Sequence, residues 1–85
     1  MKELKYVITD PEGIHARPAG QLVKVVAEFP CATKIAKEDK AVDAKRLMAV
    51  MSLGVKTGQE ITITCDGEKE DEAVVAIEEF LKANL

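Results

Sequence analysis

One stretch concentrates the side chains that can do chemistry: Gly13-Ile14-His15-Ala16-Arg17-Pro18-Ala19. It holds the only histidine of an 85-residue chain, with an arginine two positions further on. A strand pattern stops just before it and a helix pattern starts within it, so the unbonded N–H groups of a first helical turn meet both side chains. A helix N-terminus binds phosphate. It also disfavours a nearby positive charge and so favours neutral imidazole, which is the form that can attack a phosphoryl donor. The dianionic product would rest against backbone N–H groups, with the Arg17 guanidinium as a charged partner. These features point to a phosphohistidine site. Glu12 opposes the helix end by favouring imidazolium; the helix end is expected to prevail because its N–H groups should lie closer. Spacing alone leaves two plainer readings open, His15 as a helix cap and Arg17 as a residue on the wet face of the helix.

Little else in the chain could support a complete enzyme. A hydrolytic triad needs a base, a nucleophile and an orienting group, and a single histidine does not supply them. No glycine-rich phosphate-cradling loop is present. A group could be accepted and handed on, but no motif binds a nucleotide, and no cofactor is expected. Fifteen acidic against twelve basic residues give a net charge of −3, which argues against nucleic acid as a partner. No apolar run approaches the ~20 residues of a membrane span, and no signal-peptide pattern follows Met1. A cytoplasmic protein with reduced thiols is therefore expected. Cys31 and Cys65 read as small core residues; a disulfide is the other reading, and a metal pair has no zinc-like spacing to support it.

The elements that must position His15 follow from periodicity. Leu4, Tyr6 and Ile8 alternate on one face of a strand over Glu3 to Ile8. Thr9-Asp10-Pro11-Glu12-Gly13 is turn chemistry. A helix is expected from Ala16 to about Phe29, with Ala19, Leu22, Val23 and Val26 as its apolar stripe and Arg17, Gly20, Gln21, Lys24 and Glu28 on the wet face. Pro18 fits only in its first turn, and Pro30 ends it. A strand from Cys31 to Lys37 and a short edge strand from Lys40 to Asp43 follow. Asp43 is expected to N-cap a helix running to about Leu53, closed by Gly54. Leu47, Met48, Ala49, Val50, Met51 and Leu53 cannot share one stripe, so this helix is either buried all round or partly a contact surface. A strand from Glu60 to Cys65 turns Ile61, Ile63 and Cys65 inward. A last helix from about Lys69 to Asn84 packs through Ala73, Val74, Ile77, Phe80 and Leu81, and its early Glu70, Asp71 and Glu72 match the helix dipole. The expected order is β-α-β-β-α-β-α in a single domain over 1–85. This is an α+β open-faced β-sandwich, with a four-stranded antiparallel sheet and three helices on one face.

The chain resembles the histidine-containing phosphocarrier (HPr) family of the bacterial phosphoenolpyruvate-dependent sugar phosphotransferase system. The likeness covers its whole length and element order, the His15 motif, and Met48-Ala49-Val50-Met51-Ser52-Leu53-Gly54, a form common in Gram-positive members. The resemblance implies that Enzyme I phosphorylates His15 on Nδ1 and that the group passes to IIA domains of sugar permeases. It implies Arg17 as phosphate partner and Pro18 as a residue that sets the helix start. It also implies a partner surface made of Ala16, Gly20, Gln21, Lys24, Leu47, Met48, Met51 and Ser52, with Met48 as an exposed anchor. One position departs from the pattern. Arg46 stands where many Gram-positive members carry a regulatory serine, so the kinase-dependent switch is in doubt and Ser52 does not replace it. Arg46, Lys45, Lys24 and Arg17 are expected to form a local basic patch that speeds docking to acidic partners. A monomer is expected. The competing readings are a regulatory or specialised HPr paralogue and a non-catalytic α+β protein-interaction module.

Overall fold

Alternating apolar residues in two separated stretches give the sheet its first pair. Strand β1 (Lys2–Val7) lies antiparallel to β4 (Glu60–Asp66), so that Leu4 faces Ile63 and Tyr6 faces Ile61. The computed structural model describes residues Met1–Leu85. On its other side β4 pairs antiparallel with β2 (Ala32–Lys37), which in turn pairs with the edge strand β3 (Lys40–Asp43). The sheet order is β1-β4-β2-β3. Because β1 and β2 both oppose β4, they run parallel to each other, and the segment joining them has room for a full helix.

That segment is α1 (Ala16–Ala27). Its three valines cost up to roughly 0.7 kcal/mol each in helix propensity. Burying Leu22 and Val26 completely returns about 1.5–3 kcal/mol per side chain, so packing decides the conformation. Lys45 Nζ donates to the Phe29 carbonyl just beyond the C-terminal end of α1, at 2.9 Å, where a cation also suits the helix dipole. The helices α2 (Leu47–Ser52) and α3 (Glu70–Asn84) complete the order β-α-β-β-α-β-α. Ala19, Leu22 and Val26 of α1, Val50 of α2, and Ala73, Ile77 and Leu81 of α3 share one core with Leu4, Ile35, Ile61, Ile63 and Cys65 of the sheet. This is the open-faced α+β architecture expected from the alternation.

Three details differ from expectation or extend it. Asp43 does not cap α2. Ala44 still bonds the sheet, its N–H donating to the Thr33 carbonyl, and Asp43 Oδ1 accepts from Lys45 N–H in the turn that follows. The N-cap therefore lies three residues beyond the expected one, at Arg46, and makes no side-chain capping bond. The surplus apolar residues of α2 divide between two surfaces: Val50 is buried, whereas Leu47, Met48 and Met51 are exposed, Met48 to 76%. Finally, Cys31 and Cys65 are free buried thiols on either side of the Thr33 hydroxyl, at 3.7 and 3.9 Å. Burial pushes the Cys65 thiol up, as expected of a core residue rather than a reactive one.

Candidate functional site

The turn between β1 and α1 is held from two sides. On one side the Leu85 carbonyl accepts from Thr9 N–H (2.6 Å), Asp10 N–H (3.0 Å) and Thr9 Oγ1 (2.8 Å). On the other, Ile14 N–H donates to the Val55 carbonyl at 3.0 Å. Gly13, at φ +69°, lies so close to this second loop that a Cβ would come within 2.3 Å of the Val55 oxygen. Only glycine satisfies both the left-handed backbone and the close approach. The loop after α2 thus sets the height at which His15 leaves the turn.

His15 occupies the N-cap of α1 in an extended conformation, and its side chain makes no capping hydrogen bond. Its carbonyl accepts the helix bond from Ala19 N–H at 3.0 Å. Within the chain nothing accepts from the Ala16 and Arg17 amides, and α1 has no acidic side chain in its first turn. Pro18 is buried there and contributes no N–H. Arg17 is exposed and makes no ion pair. Asp10, His15, Arg17, Pro18, Gln21 and Asn84 line a polar depression of about 210 Å³.

The imidazole makes no hydrogen bond to the helix end. Its Nε2 stands 3.3 Å from Glu12 Oε2 and 3.9 Å from Asp10 Oδ2. Asp10 and Asn84 were not legible as site residues. Asp10 reads as a turn former, a role it also fills by accepting Glu12 N–H at 2.8 Å on Oδ1. Asn84 arrives from the far end of the chain. Chemically, a carboxylate only accepts hydrogen bonds, so a ring nitrogen facing one can bond to it only when that nitrogen carries a proton.

The residues named for a partner surface lie on two helices, α1 and α2. Helix α1 packs beside α2, and Ala16, Gln21, Lys24, Leu47, Met48, Met51 and Ser52 are exposed, with Gly20 half-buried. Of the four cations expected to form a basic patch, Arg17, Lys24 and Arg46 are exposed and Lys45 is half-buried. Lys45 is committed to the Phe29 carbonyl, and Arg46 Nε lies 3.9 Å from Asp43.

A shallow polar site around one histidine, on a sheet covered by helices on a single face, suits a protein that takes up a group and gives it away. Comparison with known proteins agrees. A family model described as "PTS HPr component phosphorylation site" matches residues 2–83. A phosphocarrier protein HPr from Lysinibacillus sphaericus is 41% identical over 81 residues, which span 95% of this chain and 92% of that one. Among solved structures, the histidine-containing phosphocarrier protein from Mycoplasma is 38% identical with a TM-score of 0.94, covering 96% of this chain and 93% of that one. Crh of Bacillus subtilis, described as a catabolite repression protein that forms a swapped dimer, is 33% identical with a TM-score of 0.78, covering 100% and 98%. The chain belongs to the HPr family, the phosphocarriers of the phosphotransferase system. Its role is that of a carrier and not of an independent catalyst. No helix is long and apolar enough to cross a membrane.

Proposed function

We propose that His15 accepts a phosphoryl group on Nδ1 from phosphorylated Enzyme I and passes it to IIA domains of sugar permeases. The observation that carries this reading is the pairing of Nε2 with Glu12 and Asp10 at the uncapped start of α1. With the proton held on Nε2, the lone pair belongs to Nδ1. That lone pair attacks phosphorus, the bond from phosphorus to the donor nitrogen breaks, and the donor nitrogen keeps the electron pair. The ring then carries positive charge, which the two carboxylates at Nε2 offset. The phosphoryl oxygens gain the Ala16 and Arg17 amides and the Arg17 guanidinium as donors. Transfer onward reverses the step: an acceptor nitrogen attacks, the P–Nδ1 bond breaks, and the pair returns to Nδ1.

Successive partners need a common face. Gly20, Gln21 and Lys24 of α1, with Leu47, Met48, Met51 and Ser52 of α2, supply one beside His15, centred on exposed Met48. An accessible face of this kind suits a monomer working in the cytoplasm. The test is incubation with phosphoenolpyruvate and Enzyme I. The chain should gain one acid-labile phosphoryl group, and His15→Ala should abolish it; persistent labelling of the alanine variant would sink the assignment.

A second reading, a regulatory paralogue phosphorylated at the same histidine, draws on the likeness to Crh. Restoration of sugar uptake in a strain lacking its own HPr separates the two: the carrier restores it and the paralogue does not.

A further inference from the structure

Asp10, Glu12 and His15 converge; Arg17 lines the same depression but pairs with neither carboxylate. Nε2 lies 3.3 and 3.9 Å from the two carboxylate oxygens, and ligand atoms of all three residues lie within 4.8 Å of one another. Neither carboxylate pairs with any other cation of the chain. Asp10 is held in place by its Oδ1, which accepts Glu12 N–H, and its Oδ2 is the oxygen that faces the ring. Glu12 is exposed and free to rotate.

These distances resemble the edges of a coordination polyhedron. A tetrahedral ion with bonds of about 2.0–2.1 Å holds its ligands roughly 3.4 Å apart. The two measured edges bracket that value to within half an ångström, and rotation of Glu12 can close the third. The donor set also selects among ions. Magnesium and calcium prefer all-oxygen shells, whereas one imidazole nitrogen with two carboxylates suits zinc and its borderline neighbours.

We propose that Asp10, Glu12 and His15 form a site for a divalent cation of the zinc class, and that the bound cation prevents His15 from accepting a phosphoryl group. The ion takes the place of the Nε2 proton, draws electron density from the ring, and occupies the carboxylates that would offset positive charge on the phosphorylated imidazole. The inhibitory half rests on the reading of His15 as acceptor; the binding half does not.

Zinc chloride titrated into the full chain, followed by calorimetry and by amide and imidazole NMR shifts, tests the site. We expect one ion per chain, shifts centred on residues 9–17, and no comparable response to magnesium. Loss of an outer partner of a metal site weakens binding by about 10–100-fold, so loss of a ligand in Glu12→Gln or Asp10→Asn should weaken it at least about tenfold, and His15→Ala should abolish it. Saturable binding that survives His15→Ala, indifference to the two carboxylate variants, or no saturable binding at all overturns the site. A second arm follows phosphoryl uptake from Enzyme I that has already been phosphorylated, with and without zinc. Wild-type uptake should fall about tenfold at saturating zinc, and the ratio of the two rates should return towards one in Glu12→Gln. Unchanged wild-type uptake overturns the inhibitory half alone. No uptake even without zinc overturns the acceptor reading, and the inhibitory half with it, while the zinc titration still decides the site.

Discussion

Helices α1 and α3 begin in opposite ways. Three acidic residues, Glu70, Asp71 and Glu72, fill the first turn of α3. Glu70 is further tied down, accepting Gly67 N–H at 3.0 Å and pairing with the Met1 amino group at 2.7 Å. The first turn of α1 has no acid, its N-cap side chain makes no capping bond, and the Ala16 and Arg17 amides have no acceptor within the chain. A helix start carries roughly half a positive charge. At α3 the chain answers that charge with carboxylates inside the first turn; at α1 the neighbouring carboxylates, Asp10 and Glu12, lie in the preceding turn and face the His15 ring. What separates α1 from α3 is therefore that its first turn carries no carboxylate of its own.

The most direct way to break this contrast is to give α1 what α3 has. Ala16→Glu places a carboxylate in the first turn beside His15. Stability should rise by about 0.3–1 kcal/mol from the dipole interaction. The initial rate of phosphoryl uptake should fall at least about tenfold, because the incoming group meets a negative charge where it needs donors. Thermal unfolding and a phosphorylation time course on the same sample check both signs. A variant that is more stable and equally fast would show that the open helix start is incidental.

The two starts also differ in what holds them. That of α3 is fastened by a side chain, whereas that of α1 is fastened by backbone contacts of the preceding turn with Val55 and Leu85. Gly13→Ala attacks the first of these. It puts a Cβ against the Val55 oxygen and forces alanine into a left-handed conformation. A destabilisation of about 2–3 kcal/mol is expected, measured by urea denaturation, with faster amide exchange at Ile14 as the local sign. A loss below about 0.5 kcal/mol would mean that the loops separate without cost.

At α3 the corresponding test uses pH. The hydrogen bond with the Met1 amino group, and after it the Gly67 N–H, holds the Glu70 carboxyl below its ordinary value of 4.5. A depressed carboxyl contributes stability that is fully present above its ordinary value and is lost as pH falls through the lower folded one. Wild-type stability should therefore fall below pH 4.5 with a component that Glu70→Gln lacks. The two proteins should differ at neutral pH and converge in acid. Parallel curves from pH 7 to 2 would remove Glu70 from the account of α3.

Much of this arrangement was legible from local pattern, and the losses have a common cause. Alternation gave the strands, and Pro18 and Pro30 bracketed α1, because these signals act over a few residues. The open-faced layering then followed from which faces had to be wet. Contacts fixed by the far end of the chain were not readable: the Leu85 carbonyl on Thr9 and Asp10, and Asn84 beside His15, come from the opposite end of the sequence. The Thr33 hydroxyl between two cysteines depends on strand register, which no single stretch reveals. Asp43 misled because it is a good cap by type, yet it ends β3, Ala44 N–H still bonds the Thr33 carbonyl, and the aspartate is spent on the turn that follows. At His15 the residue was evident but its setting was not, since Glu12 was weighed without Asp10. Resemblance added the roles of Arg17 and Met48, which spacing alone had left open.

The third helix start sharpens the contrast further. Helix α2 has neither acids nor open polar purpose; a cation, Arg46, stands at its N-cap in an extended conformation with φ −112° and ψ 113°. That backbone suits a serine cap, and the arginine opposes the dipole. Arg46→Ser should therefore stabilise the protein by about 0.5–1 kcal/mol, which for a chain of this size is a rise in Tm of roughly 2–8 °C. The same change removes one of the few exposed cations beside Met48. Association with phosphorylated Enzyme I should slow and depend less steeply on salt, since a rim charge acts mainly on the rate of encounter. Stopped-flow measurements at two ionic strengths read this second effect independently of the first. If stability rises while rates and their salt dependence stay fixed, Arg46 is merely a poor cap. If both move, the chain gives up helix stability at α2 for faster docking.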